Sequence, residues 1–290
     1  MSPRFPAGPL SALMLLVLLL AGCAGFLPAG GPSTAEAGRT ACQIVYDAGS
    51  SGTRLFVYAQ RGGAWVEQAE PKTVALADPV RQIRGKTHAD LEAVTTEVVA
   101  QLERIRTAGP TNDKGKREWE AFDWTAQCRV TDAMVLATAG MRIAEHENAA
   151  MSKALWTSLQ RKLQARLGRD VRVAARTLTG FEEGLYAWLA VRESRGDSRF
   201  GIAEMGGASA QVAFPCPGCD TNDDAVRTVM VKGQALRMYS YSFLGLGQDE
   251  APKTLGLPPA CAYGVGLQVA GWQRGDCASR IDLAGAAGLK

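Results

Sequence analysis

Two loops of this chain share one plan, and that repetition constrains the fold more than any bulk property. In each, a short apolar strand ends on an acid, a turn of glycine and serine follows, and a second apolar strand begins. The first is Asp47-Ala48-Gly49-Ser50-Ser51-Gly52-Thr53-Arg54, with strands expected over Gln43–Tyr46 and Arg54–Ala59. The second is Glu204-Met205-Gly206-Gly207-Ala208-Ser209-Ala210-Gln211, with strands expected over Gly201–Met205 and Ala210–Phe214. The first connection is too short for a parallel crossover, so its strands should pair as an antiparallel hairpin; the second repeats the same strand-loop-strand form. Two such hairpins predict two related lobes facing each other across a phosphate-bearing ligand.

The first loop is not a P-loop. That motif needs its glycines to lead into a helix and a lysine after the last of them. Here a strand follows, and there is no lysine. Between the two hairpins the chain alternates helix and strand. Thr87 is expected to cap a helix reaching about Arg106, on the helical spacing of Leu91, Val94, Val98, Leu102 and Ile105. Ala133–Ala137 reads as a buried strand ending in Thr138-Ala139-Gly140-Met141-Arg142. Met151, Leu155, Leu159 and Leu163 form one stripe of a helix over Ala149–Leu167. Val171–Ala175 is a further strand, and a helix is expected from about Glu182 to Arg192.

The length of 290 residues accommodates two lobes, and 47% hydrophobic with 21% charged residues is globular composition. The net charge of +3, with lysine and arginine scattered, gives no basis for a nucleic-acid partner. Histidine occurs only at His88 and His146, which argues against histidine-rich zinc chemistry and a Ser-His-Asp triad. Leu10–Leu20 is an uncharged apolar run, too short for a comfortable span, and it ends in Leu20-Ala21-Gly22-Cys23. This resembles a bacterial lipoprotein signal. Residues 1–22 are therefore expected to be a signal peptide, Cys23 to carry lipid, and residues 23–40 to be a flexible tether. That places the protein in the cell envelope, anchored to a membrane outside the cytoplasm. The remaining cysteines are even in number, which suggests disulfides in an exported protein. The preferred pairs are Cys42 with Cys128, Cys216 with Cys219, and Cys261 with Cys277. A zinc half-site at Cys216-Pro217-Gly218-Cys219 is the competing reading.

Each loop has a chemical use. The backbone N–H groups of Gly49 and Gly52 can reach an oxyanion, and Ser50, Ser51 and Thr53 add hydroxyls. Asp47 repels phosphate but suits a divalent cation held through water, as does Glu204. Gly206, Gly207 and Ala208 repeat the phosphate cradle, with Ser209 and Gln211 as groups that orient water. Thr138 and Arg142, at a strand end, can bind phosphate, the arginine neutralising charge on the transferred group. Glu183, near a helix start, can act as a general base toward attacking water. The bland alternatives are a capped Gly-Ser turn for the first loop, a surface ion pair for Arg142 and helix capping for Glu183.

Taken together and in this order, the segments resemble the apyrases, or nucleoside triphosphate diphosphohydrolases. Asp47–Arg54 and Ala137–Arg142 are similar to the family's first and second regions. Leu178-Thr179-Gly180-Phe181-Glu182-Glu183-Gly184-Leu185-Tyr186-Ala187-Trp188 matches the third, and Glu204–Gln211 resembles the fourth. Tyr239-Ser240-Tyr241-Ser242-Phe243-Leu244-Gly245-Leu246-Gly247 resembles a further family segment. The resemblance covers roughly residues 42–280. It implies an α/β, actin-like (ribonuclease H-like) fold of two lobes with mixed sheets, expected over residues 41–178 and 179–290. It also implies calcium or magnesium dependence, a nucleotide substrate, hydrolysis of terminal phosphates, and Glu183 as the base. Three departures stand out: Glu204 replaces the usual Asp, Arg192 and Glu193 replace the usual end of the third region, and the family's fifth region and final helix are expected to be absent before Lys290. The second lobe is therefore expected to be incomplete, with a dimer or partner chain covering it. The competing functions are a polyphosphate or guanosine-pentaphosphate phosphatase, and a non-catalytic lipoprotein that binds nucleotide or a partner.

Overall fold

The computed structural model describes residues 39–69, 73–81, 90–254 and 256. The expected signal segment, Cys23, Thr87, His88, Cys261 and Cys277 lie outside them. Two sheets organise the chain. The first has the order β3-β2-β1-β4-β5, from β1 (Thr40–Gly49), β2 (Gly52–Arg61), β3 (Ala64–Ala69), β4 (Cys128–Ala137) and β5 (Arg172–Thr177). β1, β2 and β3 are an antiparallel meander, whereas β4 and β5 run parallel to β1. That mixed order is the ribonuclease H-like arrangement expected. The second sheet, β6-β7-β9-β8, is antiparallel throughout. Its strands are β6 (Ile202–Met205), β7 (Ser209–Pro215), β8 (Val226–Val231) and β9 (Gln234–Leu244).

Short helices α1 (Asp78–Arg81), α3 (Trp124–Gln127) and α7 (Ala251–Thr254) join longer ones: α2 (Leu91–Arg104), α4 (Ala139–Glu147), α5 (Ala149–Leu167) and α6 (Gly180–Arg195). α5 forms as its leucine stripe predicts. Leu155, Leu159 and Leu163 are fully buried, the Asn148 side chain accepts from the Met151 N–H, and Gly168 ends the helix. α2 begins later than expected, because Asp90 caps it by accepting from the Ala93 N–H at 2.6 Å. α6 opens on a capping box in which Thr179 and Glu182 satisfy each other's backbone donors, so the helix starts at Gly180.

Alternation along β1 and β2 separates two cores. Ile44, Tyr46, Leu55 and Val57 face α2 and α5 in one core, with Ala133 and Val135 of β4. Val45, Phe56, Tyr58 and Leu136 face the other way. There they join Phe181, Leu185 and Trp188 of α6, and Ala213, Val231 and Met238 of the second sheet. α6 therefore lies between the sheets and contributes to packing on both. Trp188 is fully buried, stacks on Phe200 and donates to the Phe200 carbonyl at 3.0 Å. The far face of the second sheet is open among the described residues, with Met205, Phe214, Met230, Tyr241 and Phe243 exposed.

Disulfides join Cys42 to Cys128, across β1 and β4, and Cys216 to Cys219, in the turn after β7. The second bond rules out the zinc half-site, since both sulfurs are consumed. Among the described residues, no helix is long and apolar enough to cross a membrane.

Candidate active site

β1 carries Asp47 on the same face as Val45, the face turned toward α6. On β6, Glu204 shares a face with Ile202, which packs against the same second core. Glu183 stands in the first turn of α6. The electrostatics show that the acids are neighbours. Burial pushes Glu183 up to about 7; Arg142 opposes that shift, and the charges on Glu204 and Asp47 add to it. Burial also raises Glu204, with Asp47 adding repulsion, and raises Asp47, with Arg54 opposing.

Arg142 is the counter-charge. It ion-pairs with Glu183, and the two side chains are 13% and 12% exposed. It also donates to Ser242 Oγ at 3.2 Å and to Ser209 Oγ at 3.3 Å. The sequence places Arg142 at a strand end. In the structure β4 stops at Ala137, and Arg142 is one turn into α4, whose N-cap is Thr138. The difference matters because a helical position lets the long side chain reach across to α6 and β7. Thr138 stays beside the first loop, its N–H donating to the Ala48 carbonyl at 3.2 Å.

The two glycine-serine loops meet. Ser50 and Ser51 form the whole connection between β1 and β2. A Cβ at Gly207 would come within 2.5 Å of Ser50 Oγ, so a residue without a side chain permits that approach. Gly206 donates to the Ser209 carbonyl at 2.9 Å, closing the second loop. Ser209 and Gln211 are buried on the inner face of β7, where Gln211 Nε2 donates to Ser209 Oγ and to Ser242 Oγ, the latter at 3.1 Å. Gln211 Oε1 and Arg142 Nε are buried without a protein partner. Such groups are ready for a ligand or water. Asp47, Gly49, Ser50, Ser51, Gly52, Arg142, Glu183, Glu204, Gly206, Gly207, Ala208, Ser209 and Gln211 thus fall in one region. Thr53 does not bring its hydroxyl there. It is fully buried on the β2 face that carries Leu55 and Val57.

Sequence reasoning missed Ser242, Asp249, Glu250 and Arg81. Ser242 was readable as part of the Tyr239–Gly247 segment, though its contact with Arg142 was not. Asp249 sits against Gly207, in a cavity of about 260 Å³ also lined by Ser50, Arg81 and Glu250. Nothing local marks Arg81.

The acids form an oxygen-rich set whose charges repel one another across a partly desolvated space. That set fits a hard divalent cation, which would neutralise them. Among the described residues there is no group of three or more His, Cys, Asp or Glu side chains that could hold a metal ion.

The chain is similar to proteins already known. Residues 125–256 match the GDA1/CD39 (nucleoside phosphatase) family. The chain is 28% identical over 223 residues to probable apyrase 5 of Arabidopsis thaliana, covering 73% of this chain and 41% of that protein. It is 28% identical over 242 residues to nucleoside-triphosphatase ntp-1 of Caenorhabditis elegans, covering 72% of this chain and 39% of that one. The chain thus spans well under half the length of these relatives. A nucleoside triphosphate hydrolase structure from Neospora caninum aligns over 78% of this chain and 48% of its own, with 17% identity and a TM-score of 0.47. Residues 125–256 thus resemble the GDA1/CD39 nucleoside phosphatase family, and the chain is similar to apyrases and nucleoside-triphosphatases.

Proposed function

We propose that this protein hydrolyses terminal phosphates of nucleoside tri- and diphosphates by direct attack of water, with Glu183 as general base. The observation that supports this most is the convergence of Glu183, Asp47 and Glu204 beside two Gly-Ser loops, with Arg142 paired to Glu183. Phosphoryl transfer asks mainly for positioning and charge stabilisation, and these residues supply both. Backbone N–H groups of Gly49, Gly52, Gly206, Gly207 and Ala208, with the Ser50 and Ser51 hydroxyls, cradle the phosphate chain. Thr138 borders the same loop.

Asp47 and Glu204 would hold a calcium or magnesium ion, which would neutralise phosphate charge when bound. Arg142 turns part of its guanidinium, including the unpartnered Nε, toward the transferred group. Releasing Glu183 from that pair makes its carboxylate available to water. Ser209 and Gln211 orient the water, and Ser242 keeps Arg142 and Gln211 in register. Burial suits Glu183 to the role, because a carboxylate titrating near neutrality is a stronger base than an exposed one.

The test is phosphate release from ATP, ADP and inorganic polyphosphate with calcium or magnesium, repeated in excess chelator. Metal-dependent release from the nucleotides supports the reading. Release from polyphosphate alone would replace it with the polyphosphatase reading, and tight nucleotide binding without release would leave a binding protein. We also propose that Cys23 carries lipid and anchors the protein outside the cytoplasm. Mass spectrometry of the mature protein should then find an acylated Cys23 and no peptide from residues 1–22; a free thiol there would refute the anchor.

A further inference from the structure

Two polar ties link the first-sheet unit to the second. The front tie is Arg142, reaching from α4 to Glu183, Ser209 and Ser242. The rear tie lies behind the loops. Arg81, the last residue of α1, donates from Nη1 to Glu250 Oε1 at 2.8 Å and from Nη2 to Glu250 Oε2 at 3.3 Å. It also donates to Glu147, from Nε to Oε2 at 3.2 Å and from Nη2 to Oε1 at 3.1 Å, and Lys253 Nζ donates to Glu250 Oε1 at 3.2 Å. Arg81 and Glu250 side chains are only 11% and 10% exposed, whereas Glu147 is 45% exposed. A two-pronged arginine–carboxylate pair fixes orientation as well as distance.

Each end of the rear tie is fastened to a phosphate loop. The turn that carries Glu250 is stitched to the second loop: Gln248 N–H donates to the Gly206 carbonyl at 2.9 Å, and Asp249 and Glu250 N–H groups donate to the Gly207 carbonyl at 2.8 and 3.2 Å. On the other side, α1 packs against α4. There Gly140 lies so close to the first loop that a Cβ would stand 2.9 Å from Ser50 Cα. A change in the length of the Arg81–Glu250 contact therefore moves one loop relative to the other.

We infer that Arg81 and Glu250 are positioning residues that set the separation between the Ser50–Ser51 loop and the Gly206–Gly207 loop. The inference rests on the proposed hydrolysis for its kinetic consequence, but not for its structural one. The front tie is loosened in each turnover, because Arg142 must share its donors with the transferred phosphate. The rear tie touches no reacting atom and persists, so the cradle keeps its width while the front rearranges.

Glu250→Gln keeps side-chain shape and Arg81→Gln shortens the side chain; both remove the ion pair. Each should raise KM for the metal–ATP complex about tenfold while kcat stays within about threefold, a misfit of the phosphate cradle and not of the chemistry. The losses should not multiply in the double variant, because both singles break the shared Arg81–Glu250 contact, although Arg81 also pairs with Glu147 and Glu250 with Lys253. Glu147→Gln, at the exposed partner, should change KM less than about twofold. Hydrogen exchange, which needs no activity, should show faster exchange at Gln248, Asp249 and Glu250, with the β1–β2 core unchanged. Unchanged KM and unchanged exchange in both single variants would overturn the inference, as would losses that multiply in the double. If the wild-type chain hydrolyses nothing, the functional reading fails, and the exchange data alone decide the tie.

Discussion

The two sheets carry the same loop but are built to different standards. The first is packed on both faces, by α2 and α5 on one side and by α6 on the other. It is also cross-linked, Cys42 to Cys128, over a separation of 86 residues. The second packs against α6 on its inner face and leaves aromatic and methionine side chains exposed on its outer one. Its disulfide closes a separation of only 3 residues. An acid-Gly-Ser hairpin thus does not require a two-sided sheet. It requires one face firm enough to aim the acid, and the inner faces of both sheets meet at α6.

That comparison breaks first at the long disulfide. Replacing Cys42 and Cys128 by alanine should destabilise the protein by about 4–5 kcal/mol, from the loop entropy released to the unfolded chain. Denaturant melts would show it as a lower midpoint. Removing the Cys216–Cys219 bond should cost roughly 2 kcal/mol on the same argument, and equal losses would mean that strain or residual structure, not loop length, governs both.

Trp188→Ala probes the slab that both sheets share. Truncating a fully buried tryptophan should cost about 3–5 kcal/mol. Because its core draws from both sheets, near-ultraviolet and far-ultraviolet signals should melt together. Two separate transitions would show the sheets to be independent.

At the junction, Glu183→Gln should lower kcat by roughly 100-fold, about 2.7 kcal/mol, and leave nucleotide affinity within about threefold. The pH profile of the wild-type protein sharpens this. A base must be unprotonated, so kcat/KM should fall as pH drops through the Glu183 value, which burial and its acidic neighbours raise to about 7. A cation near Asp47 and Glu204 shifts that limb to lower pH, because it counters their repulsion. An acid limb that stays put in Glu183→Gln, at full rate, would remove Glu183 from the role.

The smallest effect belongs to the open face. Phe243→Ser should change stability by less than about 1 kcal/mol, since the ring is already 40% exposed. A loss of several kcal/mol would mean that something covers this face in solution, and a concentration-dependent midpoint would identify a second copy.

Much of this was legible in the chain because the governing interactions are local. The stripe through Leu155, Leu159 and Leu163 predicts α5 to its ends, and the Asp47 hairpin follows from the length of its turn. Glu183 is marked by its place just inside a helix start, and Thr179 with Glu182 confirms that start. Arg142 was placed at a strand end because apolar Ala133–Ala137 runs on without a breaker, and the helical turn that follows has no side-chain cap to announce it. Thr53 was misleading for a related reason: residue type suggests a donor, but strand alternation decides which way it points. The Arg81–Glu250 tie joins positions 169 residues apart, and no spacing rule reaches that far.

The placement of α6 has one more consequence. A helix gripped by sheets on two sides behaves as an axle: rotation of either sheet is easiest about it, and points near it travel least. Glu183 rides near one end of that axle, with the meeting glycine loops close by. Any rocking of one sheet against the other about this helix would therefore displace the carboxylate little. Under the proposed reading, the base is thus mounted where such rocking would move it least.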